Sequence, residues 1–570
     1  MNRPTFQPSQ GPGSASGAAG DAAPLAEYAL FQRVRDGLGD EIAIRYGDLA
    51  YRYEEVAGRA RALASFLAGA GLSPGRRVFI VLADAPPFAW AFFGAIAAGG
   101  VVVMGNPRAS PAELGYVLEY AAPEVVITSP EVACSLAQPL ARAPGLRAVL
   151  LVPEGATGDD PEREVGVPEA LAASGRGAAA WPLARAIEAG TREPIALPLR
   201  RADDPALWLL TSGSTGRPKA AVHAHRGLIA HTEAYAFGTV GYRRGDVTMS
   251  VPRLFFGYAT GTNLLFPFAA GASVALFSEP PFAETVARAA ERYRPSVVTN
   301  VPTMLSKLLE RDAALRERGE GGLSLPPARF HISAGEALPP SLYERFTSRF
   351  SVPIYDGIGS AETFHIFATN RPGDVRKGSL GRATPGFELS ILPEAARTPQ
   401  AAPVPPGEEG VLWVRGPSVA MEYAGDPEGS AETFFGSWCR TGDVCRMDEQ
   451  GYLHYAGRAD SRFKVGGIWV APAEVEACLA AHEAVAEAAV VPYEDGEGLR
   501  KPEAHVVVRP AYSAELGEPG RREALADDLR AHVRAELGAS KHPRRIIFAN
   551  ELPRTGRGKV DRAALREGRA

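Results

Sequence analysis

The sequence predicts an α/β protein: a large N-terminal domain of mostly parallel sheets covered by helices, then a small α+β C-terminal domain. Three observations carry that expectation. The 570 residues exceed what one hydrophobic core holds. Short β-branched runs alternate with segments whose apolar residues recur at helical spacing, the pattern of repeated βα units. Near Asp460 the rhythm changes, and the remaining stretch of about 110 residues suits a small independent domain.

Residues 1–25 are rich in Gly, Ser, Pro and Ala and lack apolar periodicity, so a disordered tail is expected there. Residues 26–459 and 460–570 are the two expected domains. Val56, Ala60, Leu63 and Leu67 share a helical face, Gly71 and Pro74-Gly75 end it, and Val78–Leu82 reads as a buried strand. From Phe88 to Gly105 no charge occurs, a length close to that of a membrane span. Gly99-Gly100 interrupts it and Val101–Met104 is mostly β-branched, so a buried helix, a glycine stop and a buried strand are expected instead. Ala148–Val152, Val274–Phe277 and Val297–Asn300 add further strands. Residues 155–201 read as a loop around one short Ala-rich helix.

In the second unit, Glu474–Ala481 reads as a helix, and Ala488–Pro492 and Ala504–Val508 as strands. Leu525, Leu529, Val533 and Leu537 place one apolar residue per turn on one face. Ile546–Phe548 forms a last strand before a loop rich in Gly, Arg and Lys.

Composition narrows the function classes. Apolar residues make up 46%, charged residues 22%, and the formal net charge is −5. That balance gives no bulk attraction to nucleic acid or to an anionic membrane. Cys134, Cys439, Cys445 and Cys478 are widely spaced and form no C-x-x-C pair, which argues against a disulfide framework or a zinc site. No basic stretch followed by an apolar run opens the chain. A cytoplasmic protein, monomeric or homodimeric, is expected.

The strongest local signal is Thr211-Ser212-Gly213-Ser214-Thr215-Gly216-Arg217-Pro218-Lys219, behind the apolar strand Ala206–Leu210. Glycines let backbone N–H groups turn toward one point, and hydroxyls with a lysine complete a polyphosphate cradle. A Walker loop is excluded because G-x-x-x-x-G-K-[ST] is absent. A dinucleotide fingerprint fails at Gly357-Ile358-Gly359-Ser360-Ala361-Glu362, where Glu replaces the third glycine.

With five further blocks in order, this loop resembles the signature of the adenylate-forming superfamily of acyl-CoA synthetases, peptide-synthetase adenylation domains and luciferases. The resemblance implies that Thr211, Ser212, Gly213, Ser214, Thr215, Gly216 and Lys219 hold ATP phosphates. Ser333-Ala334-Gly335-Glu336 resembles the segment along the adenine and the acyl group. Tyr355-Asp356-Gly357-Ile358-Gly359-Ser360-Ala361-Glu362 resembles the adenine-and-magnesium block, so Asp356, Gly357 and Ser360 would meet the nucleotide and Glu362 a Mg²⁺ ion. The family usually has Thr where Ala361 stands, so a hydroxyl contact to the α-phosphate is either lost or supplied elsewhere, with Ser360 the candidate. Trp438-Cys439-Arg440-Thr441-Gly442-Asp443 resembles the block whose carboxylate accepts both ribose hydroxyls. Arg458 would be a second nucleotide contact and Asp460 the hinge of a rotating, mobile C-terminal domain. Gly466 and Gly467 would border the CoA pantetheine path, and Lys559 would be the lysine of adenylation.

Within the superfamily, Leu254-Phe255-Phe256-Gly257-Tyr258 and Thr363–Gly373 resemble benzoate-CoA ligase and related aryl-CoA ligases. The implied acyl pocket comprises Phe256, Tyr258, Ala334, Gly359 and His365; His365 is expected either at the substrate or as a packed ring. The implied reaction joins an aromatic acid such as benzoate or a substituted benzoate to CoA, with ATP, Mg²⁺ and CoA as reactants. The alternatives are loading of a carrier protein in trans and a CoA ligase for a medium-chain aliphatic acid. An amino-acid adenylating domain fits less well, because no Asp stands in Leu254–Tyr258 to meet an α-ammonium. A non-catalytic nucleotide binder fits poorly with Glu362, Asp443, Arg458 and Lys559 all in place. His223 and His225 lack metal-helix spacing and are expected to be structural.

Overall fold

The computed structural model describes residues 24–568 except 154–159, 161–162, 164, 169–178, 213–217, 460, 462, 466–467, 497–498, 514, 519, 539–540 and 556–559. Two large sheets dominate. The first runs in the order Ala179–Pro182, Ala148–Leu151, Val125–Thr128, Arg77–Val81, Val101–Met104, Pro205–Ser212 and Pro218–Ala224. Its pairs are parallel except the last, which is a hairpin. Val101–Met104 and Val125–Thr128 are buried at every position, as a strand covered on both faces requires.

The uncharged run splits as expected into the helix Pro86–Ala97, with Pro86 and Pro87 in its first turn, and the strand Val101–Met104. Gly99 turns the chain between them at φ +82°. No helix among the described residues is long and apolar enough to cross a membrane.

The second sheet has nine strands. Five adjacent pairs, from Ile42–Tyr46 through Ser273–Leu276, Val247–Ser250, Val297–Asn300 and Phe330–Ser333 to Ile354–Gly359, are parallel. Ile366–Thr369 then returns antiparallel on Ile354–Gly359. Such carboxyl ends of parallel strands are where α/β folds place ligands.

Three features depart from the sequence reading. Glu388–Leu392, Glu409–Arg415, Phe434–Phe435, Trp438–Met447 and Leu453–Arg458 form a wholly antiparallel sheet. Within 155–201, Ala179–Pro182 is an edge strand where loop was expected, while a short helix does occur there as expected, at Leu183–Arg192, with Gly190 directly against the Ala62 carbonyl. Leu25, assigned to the tail, is buried, and its N–H donates to His225 Nδ1 at 3.2 Å.

Toward the C-terminus, Val485–Glu494, Arg500–Val508 and Arg545–Phe548 make a three-stranded sheet. The helices Pro472–Ala481 and Arg521–Leu537 cover it, with Val475, Leu479, Leu529 and Val533 in the core. The helical face read from the sequence is the buried one.

Candidate active site

The hydroxyl-rich loop joins Pro205–Ser212 to Pro218–Ala224, with Thr211 opposite Lys219 and Ser212 opposite Pro218. Gly213, Ser214, Thr215 and Gly216 lie outside the described residues. The Lys219 ammonium sits 3.6 Å from the centre of the Tyr423 ring and 3.9 Å from Asp426 Oδ2.

Glu362 stands on the 3₁₀ turn Ala361–Thr363, which follows Ile354–Gly359. The strand needs its glycines: a Cβ on Gly357 would lie 2.6 Å from the Ala368 carbonyl oxygen, and one on Gly359 2.4 Å from that of His365. The turn is held at each of its three carbonyls. His223 Nε2 donates to that of Ala361 at 2.7 Å, the Ala420 N–H to that of Glu362 at 2.8 Å, and Ser418 Oγ to that of Thr363 at 2.7 Å. Burial pushes the His223 imidazole down to about 4, so it is a neutral donor and fills the structural role expected of it. The Glu362 carboxylate accepts from Tyr423 Oη at 2.7 Å. Beside it, Ser360 Oγ lies 3.3 Å from Thr363 Oγ1.

Ala334-Gly335-Glu336 leaves the strand Phe330–Ser333 with Gly335 at φ +89° and open space where a Cβ would point. Glu336 is committed to the helix Pro302–Glu317, accepting from Thr303 N–H at 3.2 Å and Thr303 Oγ1 at 2.7 Å. Asp356 lies in register with Ser333 on the neighbouring strand. It is buried, and its Oδ1 has no hydrogen-bond partner among the described residues. Burial pushes its carboxyl up to about 8.

Asp443 and Arg458 face each other across antiparallel strands. Arg458 Nη1 donates to the Thr441 carbonyl at 2.9 Å and to Asp443 Oδ1 at 3.3 Å. The buried Cys439 thiol, on the strand that bears Asp443, is pushed well above its ordinary value by burial and then by the charges of Glu362 and Asp443. The turn Ala361–Thr363 and the strand Trp438–Met447 are in contact, so the two blocks meet in space.

In the aromatic segment, the Phe255 and Phe256 rings lie 4.4 Å apart. Tyr258 Oη donates to the Asn300 carbonyl at 3.2 Å. His365 Nε2 donates to the Tyr258 carbonyl at 3.0 Å, and its ring packs 4.8 Å from Phe266 and 5.0 Å from Tyr235. Burial lowers the His365 pKa to about 3 and keeps the ring neutral. His365 is thus a packed ring that fixes Tyr258.

Sequence reasoning missed Tyr423, the Ala361 carbonyl as the partner of His223, and the Asp84–Arg253 pair. Asp84 Oδ1 accepts from the Leu254 N–H at 3.0 Å and Asp84 Oδ2 lies 3.6 Å from Arg253 Nη1, pinning the start of the aromatic segment. One signal was present: Asp84 is the sole charge in 78–107. Asp460, Gly466, Gly467 and Lys559 lie outside the described residues.

Residues 31–424 match the AMP-binding enzyme family, and residues 474–559 match the AMP-binding enzyme C-terminal domain. The chain belongs to the AMP-binding enzyme family. Among its relatives is a benzoate–CoA ligase of Thauera aromatica, 39% identical over 91% of this chain and 90% of the relative. The solved benzoate CoA ligase of Burkholderia xenovorans superposes with a TM-score of 0.80 at 34% identity, covering 96% of this chain and all of that one. An anthranilate CoA ligase in complex with anthranoyl-AMP gives a TM-score of 0.83 at 30% identity, over 96% and 97% of the two chains.

Proposed function

We propose that the chain is an ATP-dependent acid–thiol ligase that activates benzoate or a substituted benzoate as its acyl-adenylate and transfers the acyl group to CoA. The observation that carries this reading is similarity to benzoate–CoA ligases along nearly the whole of both chains. The aromatic segment Phe255, Phe256 and Tyr258, with the neutral His365 packed behind Tyr258, supports it, since aromatic side chains suit a ring better than a flexible chain.

A carboxylate is a poor electrophile, so one of its oxygens first attacks the α-phosphorus while the bond to pyrophosphate breaks. The CoA sulfur then attacks the acyl carbon, the thiol loses its proton, and AMP leaves. The protein contributes orientation and charge. Among the described residues no cluster of three or more His, Cys, Asp or Glu could cage a metal. One carboxylate beside phosphate oxygens and water is the arrangement that suits Mg²⁺, and Glu362 on its braced turn fits it. The ion would neutralise charge on the phosphates.

In this reading Thr211 to Lys219 hold phosphates, Asp356 faces the adenine, and Asp443 with Arg458 meets the ribose. Lys559 supplies the cation for adenylation, while Gly466 and Gly467 admit pantetheine. Asp460 is the hinge between residues 26–459 and 460–570. The four free cysteines support a reducing, cytoplasmic setting. The test is kcat/KM with ATP and CoA across acetate, hexanoate, palmitate, benzoate and 2-aminobenzoate. The aryl acids should lead, because burying a Phe-sized group contributes roughly 1.5–3 kcal/mol. Preference for hexanoate would overturn the aryl assignment. Acyl-adenylate that accumulates without thioester would point to a carrier protein as acceptor.

A further inference from the structure

We propose that Tyr423 is a positioning residue that sets the Glu362 carboxylate for the nucleotide's Mg²⁺ and couples it to Lys219. The inference rests on the reading of Glu362 as the metal carboxylate.

Tyr423 is 5% exposed, and its hydroxyl donates to Glu362 Oε1 at 2.7 Å. It occupies one carboxylate oxygen and orients Oε2, the oxygen left for a cation. The ring face of the same side chain carries the Lys219 ammonium at 3.6 Å. One residue therefore touches both the carboxylate and the lysine of the phosphate hairpin.

The placement is rigid. Residues 421–424 run alongside Pro218–Ala224: Met421 N–H donates to Val222 O at 2.8 Å, Val222 N–H to Glu422 O at 3.0 Å, and Ala424 N–H to Ala220 O at 2.9 Å. The Tyr423 N–H also donates to Ser430 Oγ at 2.8 Å. Asp426, the ion partner of Lys219, caps the helix Pro427–Thr433 through the Gly429 N–H at 2.9 Å. The backbone that bears Tyr423 is thus hydrogen-bonded to the strand that bears Lys219. A shift of the hairpin moves the hydroxyl on Glu362 with it.

The test compares Tyr423→Phe, Tyr423→Leu and Glu362→Gln in the full-length enzyme. Mn²⁺ binding to the complex with a non-hydrolysable ATP analogue is followed by electron paramagnetic resonance. Phe keeps the ring under Lys219 and loses only the hydroxyl, so metal affinity should fall about tenfold while affinity for the metal-free analogue holds. Leu should weaken both. Conversion of preformed benzoyl-adenylate to benzoyl-CoA, measured on the same samples, should stay at the wild-type rate for Tyr423→Phe. That reaction also reports that the variant is folded. Wild-type metal affinity in Tyr423→Phe with a loss in Glu362→Gln would overturn the proposal and leave the Glu362 reading standing. No loss in Glu362→Gln would remove that reading and the proposal together. An equal fall in metal affinity and in the thioester half-reaction for Tyr423→Phe would make Tyr423 structural only and overturn the proposal.

Discussion

Replacing Asp84 tests whether the aromatic segment is positioned by the buried pair at its base. Asp84 is 3% exposed, and its carboxylate serves two groups at once, the Arg253 guanidinium and the Leu254 amide. Asp84→Ala leaves a cation whose side chain is 13% exposed without its countercharge. Breaking a buried pair costs about 3–5 kcal/mol. Arg253 keeps the carbonyls of Phe277, at 2.6 Å, and Glu279, and it stacks 4.4 Å from the centre of the Phe277 ring, so the lower end of that range applies. Asp84→Asn retains an oxygen for Leu254. Burial raises the Asp84 carboxyl and Arg253 lowers it, and the amide, which keeps the bond to Leu254, should cost less than the alanine. The assay is benzoate-dependent ATP–pyrophosphate exchange. Displacing Phe255 and Phe256 should raise the KM for benzoate about tenfold in Asp84→Ala, less in Asp84→Asn, and leave the KM for ATP unchanged. An equal rise for ATP, or identical behaviour of the two variants, would refute a clamp specific to the acyl segment.

Three further outcomes follow from the site. Lys559→Ala should slow acyl-adenylate formation on the order of 10²–10³-fold and spare thioester formation from preformed adenylate; equal loss in both half-reactions contradicts its role. Gly466→Leu should do the converse, keeping pyrophosphate release while CoA-dependent turnover falls; a matching drop in pyrophosphate release contradicts domain alternation. Asp356 has its folded carboxyl raised to about 8 from 3.8. The folded protein therefore keeps a proton that the unfolded chain has lost, and stability from this group is full below about pH 4 and lost as pH rises toward 8. Asp356→Asn should flatten the fall of the thermal midpoint across that window, and parallel curves for variant and wild type would contradict a buried neutral carboxyl.

What could be read in the sequence was what is local. Val101–Met104 and Val297–Asn300 announced themselves by β-branched runs because parallel strands are buried on both faces. The hydroxyl-rich hairpin was legible because its chemistry lies within nine consecutive residues. The antiparallel sheet was not. Trp438–Met447 carries Arg440, Gly442, Asp443 and Arg446, and register shifts interrupt its pairing on both sides, so no clean alternation survives. The braces of the site were hidden for a different reason. Tyr423 reaches Glu362 across 61 residues, His223 reaches Ala361 across 138, and Asp84 reaches Leu254 across 170. Only the fold brings such pairs together. His365 shows the same limit: a histidine in an aromatic run suits a substrate contact or a packed ring equally, and the Tyr258 carbonyl that holds it lies 107 residues away.

The central claim is that this protein makes an aroyl thioester through an adenylate. The most direct measurement is product stoichiometry with benzoate, ATP and CoA in one vessel, read by mass spectrometry and nucleotide chromatography. The account predicts AMP, pyrophosphate and benzoyl-CoA in equal amounts, and enzyme-bound benzoyl-AMP when CoA is withheld. Formation of ADP and phosphate, or AMP released without any benzoyl-CoA, would contradict it.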